Sequence, residues 1–172
     1  MKRNPDCTRC QLHEQALRTV CLWGDGNPNA DLMLIGDNPG GKEDRNGLPF
    51  IGDVGDLLDR VLDALGIKRE DLYVTNVLKC RPKQNKLPKG KGAVQECVDA
   101  CWPYLEEEIQ SVDPKVILLM GSTPLTTLTD LRLITRHEGS EIETIYEGAK
   151  TFAALHPSYV LRSPSKEANL AR

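Results

Sequence analysis

Four short runs of continuous apolar residues punctuate the chain: Leu32 to Ile35, Leu72 to Val77, Val116 to Met120 and Phe152 to Leu155. None alternates with polar residues, as expected for strands covered on both faces of a parallel sheet. Between them the period changes to that of a helix. Leu57, Leu58, Val61, Leu62 and Leu65 recur on one face from Val54 to a stop at Gly66. Val94, Val98, Leu105 and Ile109 predict a second helix over 93–112, with a kink or break at Pro103. A third helix is expected after Ser122. Strand and helix in alternation predict an α/β layered fold around a four-stranded, mostly parallel sheet, in one domain spanning 1–172. Ligands of such sheets bind beyond the carboxyl ends of the strands.

Composition narrows the field. The 172 residues are 40% hydrophobic and 27% charged, with a net charge of −3, which fits a folded chain. No stretch approaches the roughly 20 apolar residues of a membrane helix, and MKRNPDC has no hydrophobic segment behind it. A cytoplasmic, membrane-free monomer is therefore expected. Six cysteines are many for such a chain, where clustered thiols more often bind metal or do redox chemistry than form disulfides.

The residues after each run carry the chemistry. Gly36-Asp37-Asn38-Pro39-Gly40 follows the first, then Gly47-Leu48-Pro49-Phe50-Ile51-Gly52; Asn76 to Pro82 close the second; His156-Pro157-Ser158 follow the fourth. A carboxylate, amides, an aromatic ring and an imidazole are thus expected on one edge. Cys7-x-x-Cys10 is half of a thiolate site, suited to an iron–sulfur cluster, a zinc ion or a redox pair. Residues 79–91 carry Lys79, Arg81, Lys83, Lys86, Lys89 and Lys91 and no acid, a candidate phosphate-contacting patch. Residues 93–114 carry six acids and no Lys or Arg, so the mild net charge hides strong segregation.

Six segments in order resemble the family 4 uracil-DNA glycosylases, the iron–sulfur branch of that superfamily: Gly-Asp-Gly-Asn-Pro at 24–28, Gly-x-x-Pro-Gly-x-x-Glu-Asp at 36–44, Gly-x-Pro-Phe-x-Gly at 47–52, Thr-Asn-Val-x-Lys-Cys-Arg-Pro at 75–82, Cys-x-Pro-Tyr-Leu at 101–105 and His-Pro-Ser-Tyr-x-Leu-Arg at 156–162. The resemblance covers Cys7 to about Pro164. It implies a three-layer α/β/α sandwich and a monofunctional glycosylase that flips uracil out of single- or double-stranded DNA and leaves an abasic site.

The resemblance also implies roles. Asp37 matches a position usually held by a glutamate that directs the attacking water, and its side chain ends about 1.5 Å further back. Asn38 matches an asparagine that holds this water in other branches. His156 faces the departing base oxygen, Asn76 reads the uracil edge, Phe50 stacks on the base, and Gly36 and Gly40 line the loop. Ser158 grips a phosphate, while Leu161 and Arg162 wedge into the vacated stack. Cys7, Cys10, Cys80 and Cys101 hold a [4Fe–4S] cluster, with Cys97 the alternative to Cys101 and Cys21 an inert buried thiol. Some relatives carry a histidine in the basic loop that bonds to deoxyribose; this loop has none. Two other readings follow from the shortened acid: a relative that binds uracil or abasic DNA without turnover, and a glycosylase shifted toward another deaminated base such as hypoxanthine or xanthine.

Overall fold

The computed structural model describes residues 4–90 and 92–162. All four apolar runs form strands: β2 (Leu32–Gly36), β3 (Leu72–Asn76), β4 (Val116–Met120) and β6 (Lys150–Ala154). Two further pairs, β1 (Asp25–Gly26) and β5 (Glu141–Ile142), extend the sheet to six strands in the order β1-β3-β2-β4-β6-β5. The four long strands run parallel, and each short strand adds antiparallel at an edge. These two-residue edges are too short to read as apolar runs, which is why a four-stranded sheet was expected.

The side-chain period of two sorts the central strands into two faces. Met33 and Ile35 of β2, with Ile117 and Leu119 of β4, pack against α3 (Ala93–Val112) through Leu105, Ile109 and Val112. Leu34, Val74 and Met120 on the other face pack against Leu58 and Leu62 of α2 (Asp53–Leu65). Helices on both faces complete an α/β/α sandwich. Three short helices finish the fold: α1 (Gly41–Asn46), α4 (Ser122–Leu128) and α5 (Pro157–Leu161). Helix α3 runs unbroken through Pro103, contrary to the expected break. The missing proline N–H costs one rung, and apolar packing on either side holds the helix together.

The chain passes from β2 to β3 on one side and later to β4 on the other, so the crossover direction reverses beside β2. The crevice beyond β2 and β4 is the expected ligand position in such a sheet.

One polar cluster interrupts the core. Glu108 of α3 is fully buried and forms an ion pair with Lys79, which is only 1% exposed. Glu108 also accepts from the Gly24 N–H at 2.6 Å and from the Thr75 hydroxyl at 2.6 Å, and Lys79 Nζ donates to Thr75 Oγ1 at 2.8 Å. Lys79 therefore does not belong to the phosphate-contacting patch. Its sequence neighbours are basic, but its ammonium is spent inside the protein. Breaking one member of a buried pair costs about 3–5 kcal/mol, because the other charge stays buried alone. Lys79→Met is expected to lower unfolding free energy by about that much in urea denaturation, and Lys83→Met on the surface by less than about 0.5 kcal/mol.

Candidate active site and cysteine cluster

A cavity of about 400 Å³ opens beyond the carboxyl ends of the parallel strands. Asp37, Asn38, Gly40, Phe50, Asn76, His156, Ser158 and Arg162 all line it, although they come from four separate stretches of chain. Register explains the convergence: Gly36 at the end of β2 sits opposite Asn76 at the end of β3. The loops after β2 and β6 then supply the remaining groups.

Gly36 is small for a reason. A Cβ there would lie 2.5 Å from the Phe50 ring and 2.7 Å from Asn76 Oδ1, so its hydrogen lets ring and amide stand side by side. Gly40 likewise leaves room for the Glu43 carboxylate. The Phe50 ring is nearly fully buried and faces the His156 ring at 6.0 Å, tilted 35°.

Asp37 is half-buried, and its Oδ1 accepts the Thr123 backbone N–H at 2.9 Å, bridging the crevice from β2 to the start of α4. Gly121 permits this approach: its φ is +110°, and a Cβ there would meet the carboxylate at 2.7 Å. One oxygen is thus held by the fold, and among the described residues the other makes no hydrogen bond. Asn38 donates from Nδ2 to the Pro39 carbonyl at 2.9 Å, which leaves its Oδ1 as a second acceptor at the cavity.

The Nδ1 of His156 accepts the Ser158 N–H at 3.1 Å and lies 2.8 Å from the Ser158 hydroxyl. An acceptor at Nδ1 assigns the ring proton to Nε2. Burial lowers the His156 pKa below 6.5, with the Asp37 charge pulling it up and Arg162 pushing it down. The cavity therefore holds a neutral imidazole with an N–H donor. Ser158, expected to grip a phosphate, is occupied with orienting this ring.

The basic loop divides. Lys83, Lys86 and Lys89 are exposed. Arg81 is half-buried and donates from Nε to Asn85 Oδ1 at 2.7 Å. Lys91 lies outside the described residues. Leu161 is 39% exposed, at the end of α5, with exposed Arg162 beside it at the cavity rim.

The model of the uracil-DNA glycosylase superfamily matches residues 23–172. The chain is 38% identical to a type-4 uracil-DNA glycosylase of Thermotoga maritima over 168 residues, covering 96% of this chain and 83% of that one. It is 37% identical to the type-4 enzyme of Archaeoglobus fulgidus over 165 residues, covering 92% and 79%. The chain belongs to the uracil-DNA glycosylase superfamily, in its type-4 family. A part of the DNA polymerase of Bacillus phage SP01 is also similar, 33% identical over 144 residues, which is 83% of this chain and 15% of that protein.

In this member of the family the cysteines gather in one corner. Cys10, Cys80, Cys97 and Cys101 share an apolar cluster, and Cys7 and Cys21 pack in the adjoining one. Several sulfurs accept hydrogen bonds: Cys80 from the Cys21 N–H at 3.3 Å, Cys101 from the Lys79 N–H at 3.5 Å, and Cys7 from the Tyr104 hydroxyl at 3.4 Å. Hydrogen bonding from Cys101 brings Cys10 down to about 6, whereas burial raises Cys80 to about 11 and Cys97 to about 12. All six thiols are free. Such a donor set fits a thiolate-bound group, and the Lys79 N–H aimed at its sulfur favours Cys101 over Cys97 as a ligand. Among the described residues, no three metal-binding side chains converge closely enough for a single ion.

The corner is wired to the cavity. The fully buried Asp44 of α1 accepts N–H groups from Leu17 at 2.8 Å, Arg18 at 3.1 Å and Thr19 at 2.9 Å. It ties the segment after Cys10 to the helix that follows the Asp37 loop.

Glu43, Asn85 and Leu87 also line the cavity, and sequence reasoning missed all three. Glu43 sits in the quoted Gly-x-x-Pro-Gly-x-x-Glu-Asp segment, and burial raises its pKa. Asn85 lies within the basic loop but carries no charge to mark it. His13 is half-buried with Nδ1 2.6 Å from the Cys10 carbonyl.

The His156 environment makes a signed prediction. Ring nitrogen shifts followed by NMR should show the Nε2–H tautomer at pH 7 and a midpoint below 6.5. Asp37→Asn removes the one nearby charge that favours the imidazolium, so it should lower that midpoint further; an upward move contradicts the assignment.

Proposed function

We propose that this chain is a monofunctional uracil-DNA glycosylase that hydrolyses the N-glycosidic bond of a flipped deoxyuridine. The observation that carries the reading is the single cavity in which an amide, a stacking ring, a neutral imidazole and a carboxylate face one another. Extruding the base costs a few kcal/mol, and the contacts below offset it.

The base enters with its face against Phe50, a contact of the kind that contributes about 1–3 kcal/mol. The Asn76 amide accepts from uracil N3–H and donates to O4. Cytosine presents the reverse pattern at those atoms, which leaves buried polar groups unpaired and so rejects it. As the bond to C1′ lengthens, negative charge gathers on the base and positive charge on the sugar. His156 donates its Nε2–H toward O2, and because the ring is neutral it makes a hydrogen bond without giving up a proton to a base that leaves as an anion. The free oxygen of Asp37 and the Oδ1 of Asn38 offer two acceptors for the attacking water, and the carboxylate also stabilises the developing oxocarbenium charge. Thr123 holds that carboxylate in place, which compensates for the shorter side chain.

Exposed Lys83, Lys86 and Lys89 together with Arg162 supply cations for the DNA backbone, and Leu161 is placed to fill the stack that the base leaves. Cys7, Cys10, Cys80 and Cys101 hold a [4Fe–4S] cluster, whose contribution is to cross-link the amino-terminal segment, the loop after β3 and α3. Cysteines gathered without disulfides fit a reducing compartment, and we place the protein in the cytoplasm as a single-domain monomer. Among the described residues no helix is long and apolar enough to cross a membrane.

The deciding measurement is multiple turnover on a uracil-containing oligonucleotide, single- and double-stranded, with alkali to cleave abasic sites. Scission at uracil is expected; its absence leaves a binding protein, and scission only at hypoxanthine or xanthine leaves a glycosylase for another base. Asn38→Ala and Asp37→Ala are each expected to lower kcat by about 10²–10⁴-fold, the usual worth of a group that directs water; retention of rate in one assigns the water to the other. Elemental analysis should find four iron atoms per chain in a brown preparation, and stoichiometric zinc in a colourless one would replace the cluster by a structural ion.

A further inference from the structure

We propose that Arg69 is a positioning residue for the Phe50 platform, acting through the backbone of the loop that carries it. This rests on the reading of Phe50 as the surface on which the base stacks.

Phe50 is unusual in its backbone. Its φ of +50° lies in the left-handed region, which side chains with a Cβ rarely adopt. The motif around it offers glycines at 47 and 52, but the position that bears the ring is not one of them. Something outside the loop must therefore hold the turn in place.

Arg69 does so with one guanidinium. Its Nη2 donates to the Phe50 carbonyl at 2.8 Å and to the Pro49 carbonyl at 3.2 Å, so two successive peptides are pinned. Its Nη1 donates to Asp59 Oδ1 of α2 at 2.8 Å, which fixes the fork against the helix. The Phe50 carbonyl is enclosed on its other side by Gly55, where a Cβ would run into that oxygen. The peptide is thus gripped between Gly55 and Arg69, and the ring at its end is left facing Asn76 and His156. Arg69 itself stands in the single turn Arg69–Asp71 that leads into β3, the strand whose far end carries Asn76. The two elements that read the base, its stacking face and its polar edge, are therefore tied to one strand.

Only the planar, five-donor fork of arginine reaches two carbonyls and a carboxylate together; a lysine ammonium lacks that spread. The arrangement does not involve Arg69 in the reaction itself, since the guanidinium faces backbone oxygens rather than the cavity.

A double-mutant cycle with Phe50→Leu separates positioning from general support. In Arg69→Met, kcat/KM on a uracil oligonucleotide is expected to fall about tenfold, and the inhibition constant of free uracil to rise by a similar factor. In the Phe50→Leu background the same change is expected to cost less than twofold in each. Arg69→Lys should restore less than half of the loss. If Arg69→Met costs tenfold in both backgrounds, or leaves free-uracil inhibition unchanged, the residue acts elsewhere and the proposal fails. If Phe50→Leu alone changes neither quantity, the stacking reading fails first and the proposal goes with it. Should Arg69→Met not fold, Asp59→Asn frees the guanidinium to swing and gives the same test at about threefold.

Discussion

The buried Lys79–Glu108 pair is the constraint around which the rest of this molecule is arranged. Glu108 alone meets the loop before β1, the strand β3 and the loop after it, through Gly24, Thr75 and Lys79. A charge in that position is tolerable only with all of its partners in place. The pair therefore sets the rotation of α3 against the sheet. Lys79 then carries the consequence outward: its backbone N–H meets the Cys101 sulfur, its neighbour Cys80 joins the thiol corner, and Asn76, three residues before it at the end of β3, lines the cavity. A single ionic contact thus places both chemically active regions relative to the same helix.

The cavity is built from rigid backbone rather than from long side chains. Asn76 is the last residue of a strand, Asp37 follows directly on another, His156 comes two residues after a third, and the positive-φ residues Phe50 and Gly121 make the close approaches. Short connections from a stiff sheet limit how far these groups can shift relative to one another. That matters because misplacing a reacting group by 1 Å can cost about a hundredfold in rate. The same logic accounts for an aspartate at position 37. The Thr123 N–H fixes the aspartate that stands there from across the crevice.

Charge is partitioned along similar lines. Acids crowd α3, cations crowd the loop before it, and the two lie in adjacent stretches of sequence. Of the six cations expected to face a phosphate backbone, one is withdrawn to neutralise Glu108 and one is engaged with Asn85 at the cavity edge. Among the described residues, what faces outward is a smaller set, Lys83, Lys86 and Lys89, on a loop tied to Gln15 near its start and leading into α3.

Most of the architecture was legible in the residues because it follows from local periodicity. Continuous apolar runs mark strands covered on both faces, and a 3.6-residue period marks α2 and α3, since burial of those faces is what makes the elements stable. Asp37, Asn38, Asn76 and His156 were legible for a related reason: they sit at or near strand ends, and a parallel sheet gathers its strand ends on one side, whereas Phe50, between α1 and α2, was marked only by its motif. Tertiary structure alone decided the rest. No local pattern distinguishes Lys79 from the lysines that follow it, because burial depends on what α3 places opposite. The reach of Thr123 toward Asp37, the contact of the Lys79 N–H with the Cys101 sulfur, and the grip of Arg69 on Phe50 all join residues far apart in the chain. Such contacts are fixed by geometry between elements, and a one-dimensional pattern carries only the geometry within them.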